Sequence, residues 1–441
     1  VDERSLAVVL AAGKGTRMRS KTPKVMHPVG GRPMLGHVLA AVREAGIADV
    51  ALVVGEGADW APAAAPDAGL YVQATPLGTA HAVLAAESAF RPAHEAVVVL
   101  YGDTPLVRPA TIRTMVERIL GGADIVVLAF EAEDPTGYGR VLLDANRRVV
   151  AIREEREANE EERQVRLANS GLMAIRAGAP TRALRDIAVR GGTGEYYLTD
   201  IVAIGAERGF VMVWMMAEAA EVMGVNDRVQ LAAAEAEFQR RARADAMERA
   251  TLVAPPTVFF SHDTRLGEDV VVEPNVVFGP GVTVGDRARI RAFSHLEGAS
   301  VAAGAVVGPY ARLRPGATIG KGAHVGNFVE VKNASLGEGA KANHLAYIGD
   351  ATVGADANIG AGTITCNYDG TAKHRTEIGA GAFIGSNSAL VAPVTIGERA
   401  YVGSGSVITE DVPADALAIG RGRQVVKEGR SPARPAAEEG G

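Results

Sequence analysis

The chain has 441 residues, too many for one ordinary hydrophobic core, so two domains or more are expected. Hydrophobic residues make up 47% and charged residues 22%, a globular composition, and the net charge of −6 argues against non-specific nucleic-acid binding as the main task. Cys366 is the single cysteine, which excludes an intrachain disulfide and fits a reducing compartment. No basic leader with an apolar centre precedes the first strand pattern, and no apolar run is long enough to span a bilayer. A cytoplasmic protein with neither membrane nor nucleic-acid partners is the expectation.

Residues 6–10, 50–54, 96–100 and 124–130 read as buried strands. Helical patterns at 33–45 and 78–89 fall between them. This alternation, across residues 5–225, predicts an α/β domain with a mostly parallel sheet and helices on both faces. Sites in such sheets lie outside the carboxyl ends of the strands. Residues 226–249 are rich in Ala, Glu and Arg and hold neither Gly nor Pro, which predicts one helix of roughly 35 Å, stopped near Pro255-Pro256. It is expected to connect the domains: 1–226, the helix 227–250, then 251–441.

From Leu266 an aliphatic residue recurs every six positions: Val272, Phe278, Val284 and Ile290, then Val301 to Val331, and again from Ile378 to Ile408. A small residue follows four places on, as at Ala288 and Ala305, and Gly follows the start at Val284-Gly285, Ile319-Gly320 and Ile396-Gly397. The physical reading is a triangular coil whose aliphatic starts stack inward, with Gly turning the corners. Residues 367–376 break the register and must loop outward. The tail from Arg421 is poor in apolar residues and is expected to be mobile.

The first strand runs into LAAGKGTRM (10–18), a Gly-rich loop that can offer backbone N–H groups to phosphates. It completes neither a dinucleotide fingerprint, because Met18 stands at the third Gly position, nor a P-loop. Arg17 and Lys24 place two cations nearby, as suits a triphosphate with departing pyrophosphate. An ordinary βα turn with solvated basic residues explains the loop alone equally well. Asp103, after the strand at 96–100, is a hard carboxylate suited to Mg2+, although a turn Asp is the default there.

LAAGKGTRM with the downstream Pro-Lys resembles the signature of sugar-nucleotide pyrophosphorylases. QATPLGTAHA (73–82), YGDTPL (101–106), DPTGYGR (134–140), NSG (169–171), GEYYLTD (194–200) and GVNDRVQL (224–231) follow in order. With RLRPGA (312–317), GNFVEVK (326–332), NHLAYIGDA (343–351) and IGAGTITCNYDG (359–370), the whole chain is similar to one family. That family is the bacterial bifunctional N-acetylglucosamine-1-phosphate uridyltransferases/glucosamine-1-phosphate acetyltransferases.

The resemblance implies a Rossmann-like domain joined to a left-handed parallel β-helix, assembled as a homotrimer with acetyl sites at subunit interfaces. It implies acetylation of glucosamine-1-phosphate by acetyl-CoA, then Mg2+-dependent uridylylation of N-acetylglucosamine-1-phosphate by UTP. The implied uridyl site comprises Leu10, Ala11, Ala12, Gly13, Lys24, Gln73, Gly78, Thr79, Tyr101, Gly102 and Asp103. Gly139, Glu154, Asn169 and Asn226 are implied around the sugar, with Asp103 and Asn226 on the metal. Glu155 competes with Glu154, because IREEREA departs from the family pattern, and Ser170 replaces the usual Thr.

In the C-terminal half, acetyl transfer needs a neutral amine, a base and an oxyanion donor. His344 is the candidate base, since an unperturbed imidazole is largely neutral near pH 7. A lone His is more often structural; the NHLAY context and nearby basic residues favour the catalytic reading. Arg314 and Lys332 suit a sugar phosphate. The resemblance adds Tyr347, Asn358, Asn367 and Tyr368 around the sugar, the Ala361 N–H at the oxyanion, and Ser386, Ser404 and Arg421 on coenzyme A. Ser404 stands where Ala is also common, so its contact is expected through backbone. Cys366 is read as a buried small hydrophobe or a pocket wall, because direct transfer needs no acyl-enzyme. The rivals are a nucleotidyltransferase whose β-helix only oligomerises, a structural coil array, and a three-histidine metal enzyme drawing on His295, His324, His344 and His374.

Overall fold

The computed structural model describes residues 4–190 and 195–430. Gly194, which opens the GEYYLTD motif, and the tail from residue 431 lie outside the described residues. The chain divides into two compact units, Val1–Ala242 and Arg243–Gly441.

In the first unit, Ser5–Leu10 is buried at every position, because it is central in the sheet and covered on both faces. It pairs in parallel with Asp49–Gly55 on one side and Ala96–Tyr101 on the other. Gly69–Gln73 extends the sheet beyond Asp49–Gly55. On the far side Leu167–Arg176 runs antiparallel between Ala96–Tyr101 and Ile125–Glu131, and Met212–Ala217 closes the order. One core packs Leu35, Val38, Ile112 and Met115 against a face of the sheet, and a second packs Val83, Ile187, Ile201 and Val202 against the other. The carboxyl ends of Ser5–Leu10 and Ala96–Tyr101 deliver the Gly-rich loop and Asp103 side by side.

The predicted connector forms as Arg228–Ala246, and the division between the units falls inside it. Most of this helix belongs to the first unit. Leu231, Ala234 and Phe238 pack on Val29, Met34, Leu106 and Val225, and the Glu235 carboxylate accepts the Gly30 N–H at 2.7 Å. Alanine-rich composition signals the helix but says nothing about which apolar side chains find a neighbour.

The second unit is a three-sided parallel β-helix. Its inward residues form continuous stacks: Leu266 pairs with Val284, Val284 with Val301, Val301 with Ile319 and Ile319 with Leu336. Ala299 pairs with Ala317, whereas Ala351 pairs with Thr376, so residues 368–375 leave the coil as an outward loop while Asn367 and Thr376, at the ends of the predicted break, stay buried in it. Polar side chains enter the stacks at a few positions, Thr365 and Thr376 among them. Thr365 is buried and its hydroxyl accepts the Gly349 N–H at 2.8 Å while donating to a neighbouring carbonyl, which satisfies it inside the coil.

The role of the repeat glycines differs from the expectation. Gly285, Gly320 and Gly397 do not adopt positive φ. A Cβ at Gly397 would lie 2.3 Å from the Ala414 nitrogen, and one at Gly320 would lie 2.6 Å from the Gly337 carbonyl carbon. These glycines let successive coils touch rather than turn the chain. The left-handed corners fall on other glycines, such as Gly304, Gly322 and Gly339, and on larger residues, among them Phe293, Tyr310, Phe328 and Leu345. Phe293, Tyr310 and Phe328 stack as an exposed ladder with centroids 4.8 and 5.2 Å apart.

Candidate active sites

In the first unit the loop after Leu10 is fastened at its root by Ala11 N–H to the Val53 carbonyl, 2.7 Å. The next N–H groups, of Gly13, Lys14 and Gly15, make no hydrogen bond among the described residues, and neither does the exposed Arg17 guanidinium. Gly15 is left-handed, and a Cβ there would meet the Lys24 Cβ at 2.6 Å, so the loop closes down on Lys24.

Lys24 Nζ donates to the Asp103 carboxylate and to Asn226 Oδ1, the latter at 3.2 Å. Asn226 reaches this point because Val225 N–H bonds the Asp103 carbonyl at 2.9 Å, although 122 positions separate Asp103 from Val225 (225 − 103). Two oxygens of different chemistry thus converge on one positive charge, the donor set a hard divalent cation takes when substrate phosphates and water complete its shell. Among the described residues, no group of three His, Cys, Asp or Glu could hold a metal.

Around this centre stand the other predicted residues. The Glu154 carboxylate accepts the Thr199 hydroxyl at 2.8 Å and lies beside Gly139, which also neighbours Asn169. Burial pushes the Glu154 carboxyl up, opposed by the Thr199 bond and reinforced by Glu157 and Asp200. Glu155 is engaged elsewhere: it pairs with the buried Arg140 at 2.7 Å and accepts the Gly137 N–H. Asn169 sits where the pairing with Ile125–Glu131 shifts register, and its Oδ1 accepts the Gly171 N–H at 3.2 Å. Tyr101 is held well above the usual phenol range, by burial first and then by the Asp103 charge.

Gln73 and Gly78 are joined to each other. The Gln73 amide nitrogen bonds the Gly78 carbonyl at 3.0 Å and His81 Nδ1 at 3.1 Å, so its two donors are used and Oε1 is left to accept. Gly78 (φ 119°) is approached by the Tyr196 backbone, where a Cβ would lie 2.5 Å from a carbonyl oxygen. Thr79 accepts the Leu198 N–H at 2.9 Å. His81 was not singled out from the sequence, because nothing in QATPLGTAHA marks it as the partner of Gln73.

In the second unit the predicted residues form three groups. Arg314 donates to Glu330 at 2.8 Å. Lys332 lies against Lys373 and near Arg314; Lys373 first, then loss of solvent and Arg314, push its ammonium down. Asp350 stands beneath these cations and accepts from Asn333 at 2.6 Å and from Asn367. Enclosure opposes its ionisation, but those bonds and the Lys373 and Lys332 charges outweigh it and hold the carboxyl below its usual range. Lys373 comes from the outward loop, where Asp369 anchors Thr371, Ala372 and His374 and Tyr368 bonds the Gly370 carbonyl. Its cationic role was missed in sequence; the break in register was the available signal.

His344 forms the second group, with Nδ1 2.6 Å from Asn327 Oδ1. Ser404 and Arg421 form the third, the guanidinium bonding the Ser404 carbonyl at 2.6 Å; Ser386, also exposed, accepts the Gly405 N–H through its carbonyl. Asn358 lies on the strand beside Lys341–His344 and Tyr347 on another face of the coil, paired with Glu330; neither has a side-chain bond to His344 among the described residues. The Ala361 carbonyl accepts from Asn387, and its N–H makes no bond among the described residues.

Residues 7–167 match the MobA-like NTP transferase domain, and residues 263–298 and 375–410 match the bacterial transferase hexapeptide of six repeats. The chain is 58% identical to the bifunctional protein GlmU of Azorhizobium caulinodans, over 99% of both chains. It is 56% identical to that of Agrobacterium fabrum over 98% of this chain and 96% of the other, and 58% identical to that of Xanthobacter autotrophicus over 97% and 96%. The chain belongs to the bifunctional GlmU family. It is a bifunctional enzyme with a uridyl-transferring nucleotidyltransferase unit and an acetyl-transferring unit, the latter a left-handed β-helix of hexapeptide repeats. Among the described residues, no helix is long and apolar enough to cross a membrane.

Proposed function

We propose that the second unit acetylates glucosamine-1-phosphate with acetyl-CoA, and that the first unit then transfers UMP from UTP to the product, releasing pyrophosphate. The observation that carries the uridyl step is the meeting of Asp103, Asn226 and Lys24 beside unbonded loop N–H groups. Asp103 and Asn226 would hold Mg2+, which when bound neutralises phosphate charge. Arg17, Lys24 and the amides of Gly13 to Gly15 bind the triphosphate and steady the leaving pyrophosphate. Gln73 Oε1 accepts the N3–H of uracil, and a cytosine, whose N3 carries no hydrogen, finds no donor there. Gly139, Glu154 and Asn169 seat the acetylated sugar. Positioning and charge neutralisation supply the rate, with no covalent intermediate.

In the acetyl step Arg314, Lys332 and Lys373 bind the 1-phosphate, with Asp350, Asn333 and Asn367 fixing their spacing. His344 takes the proton of the 2-amine as nitrogen bonds the thioester carbon. The Ala361 N–H receives the oxyanion, the carbon–sulfur bond breaks, and the imidazolium returns its proton to the sulfur of coenzyme A. Ser386, Ser404 and Arg421 hold coenzyme A. We further infer a homotrimer. No hydrogen bond or ion pair links the three groups among the described residues, and the exposed Phe293–Tyr310–Phe328 ladder, followed at the next corner by exposed Leu345 beside His344, suits burial against another copy.

The test is one assay on purified protein supplied with glucosamine-1-phosphate, acetyl-CoA, UTP and Mg2+. UDP-N-acetylglucosamine, free coenzyme A and pyrophosphate are expected. Omitting UTP leaves coenzyme A release intact; loss of that release without UTP overturns the proposed order.

A further inference from the structure

We propose that Asn327 is a positioning residue that makes His344 a base, by fixing the proton of the imidazole on Nδ1. The inference rests on the reading of His344 as the base in acetyl transfer.

Asn327 ends the strand His324–Asn327, and His344 ends the next strand of the same sheet, Lys341–His344. The two residues are register partners in the parallel ladder, one coil apart. Three contacts lock them together. The Asn327 carbonyl accepts the N–H of Leu345 at 3.0 Å, which fixes the left-handed corner that follows His344. Gly326 allows the approach, since a Cβ there would lie 1.9 Å from the Asn343 carbonyl oxygen. The side chains then meet, Oδ1 to Nδ1, at 2.6 Å.

An amide oxygen can only accept, so Nδ1 must carry the hydrogen and Nε2 must keep its lone pair. Nε2 has no partner among the described residues. An unconstrained neutral imidazole favours the other tautomer, with hydrogen on Nε2, and would turn an N–H toward the substrate amine. Asn327 therefore sets the chemical identity of the ring as well as its angle, the service a carboxylate performs in other histidine bases. An amide does this without adding charge beside the ring. The ionisable groups facing the ring are Arg291 and His324, which line the same cleft, with Lys341 on its own strand; the strand on the other side, Asn358–Ile359, brings no charge.

The test uses full-length wild type, N327A, N327D and H344A. In wild type labelled with 15N-histidine, solid-state NMR should place the His344 proton on Nδ1; a proton on Nε2 overturns the proposal. For N327A, kcat for coenzyme A release should fall about 10- to 100-fold, with KM for glucosamine-1-phosphate within about twofold. N327D restores an acceptor and adds a charge, so it should recover most of kcat while moving the acid limb of the pH profile up by about one unit. Arg291, His324 and Lys341 are common to all the proteins, so the difference isolates position 327. Uridyl transfer by the same preparations checks that each chain is folded. Wild-type kcat in N327A, with H344A inactive, refutes the role of Asn327 alone. Wild-type acetyl transfer in H344A refutes the base reading itself.

Discussion

Asp103→Asn is the sharpest perturbation of the uridyl site, because it changes one oxygen to nitrogen and removes one charge. Asp103 and Lys24 are 17% and 12% exposed, so their interaction is screened less than a surface pair but is not fully dry. A unit charge acting at about 4 Å through an effective dielectric of about 20 contributes roughly 4 kcal/mol. At 1.36 kcal/mol per decade, that is about a 10³-fold loss in rate if the carboxylate supports charge neutralisation in the transition state. Pyrophosphate release by D103N should therefore fall about 10³-fold at saturating Mg2+. Coenzyme A release from the same preparation should stay at the wild-type level, since Asp103 belongs to the first unit. Uridyl transfer within about tenfold of wild type would refute the claim that the carboxylate anchors the charge.

Four further outcomes follow from the geometry. Glu154→Gln should stabilise the first unit at pH 7, because burial raises the folded-state pKa and the charged form is penalised above it; Gln keeps the acceptor for Thr199. The gain should vanish as pH falls below the ordinary carboxylate value of 4.5, and melting curves at the two pH values check the sign. Lys373→Ala should raise KM for glucosamine-1-phosphate by about tenfold in a coenzyme A release assay, with a smaller change in kcat, having removed one of three phosphate cations. Gly397→Ala should lower the unfolding midpoint of the β-helix by several degrees, about 1–3 kcal/mol of overpacking, because a Cβ would meet the Ala414 backbone at 2.3 Å. Phe328→Asp should shift sedimentation toward smaller species and reduce acetyl transfer, while uridyl transfer persists.

Much of the architecture was legible because it is periodic. Apolar runs of strand length between helical patterns marked four strands of the sheet but not the antiparallel Leu167–Arg176 among them, and a six-residue spacing of aliphatics needs no tertiary knowledge to read as a coil. Phosphate chemistry was half legible: the loop at 10–18 is ambiguous alone, and the motifs in series resolved it. What the sequence left open were choices between neighbours and between distant partners. Glu154 and Glu155 are adjacent carboxylates of equal propensity. The buried Arg140 captures Glu155, and Thr199 with Gly139 receives Glu154.

The linear chain by itself determined the two fold types and pointed to candidate residue classes at each proposed site. These follow from local periodicity and from the chemistry of side chains, which are properties of short stretches. Only the tertiary structure decided the pairings. Val225 bonding Asp103 brings Asn226 to the candidate metal site, the outward loop sets Lys373 against Lys332, and one turn of the coil sets Asn327 against His344. It also reassigned the repeat glycines from turning the chain to letting coils touch, since the distance between one coil and the next is written in no single repeat.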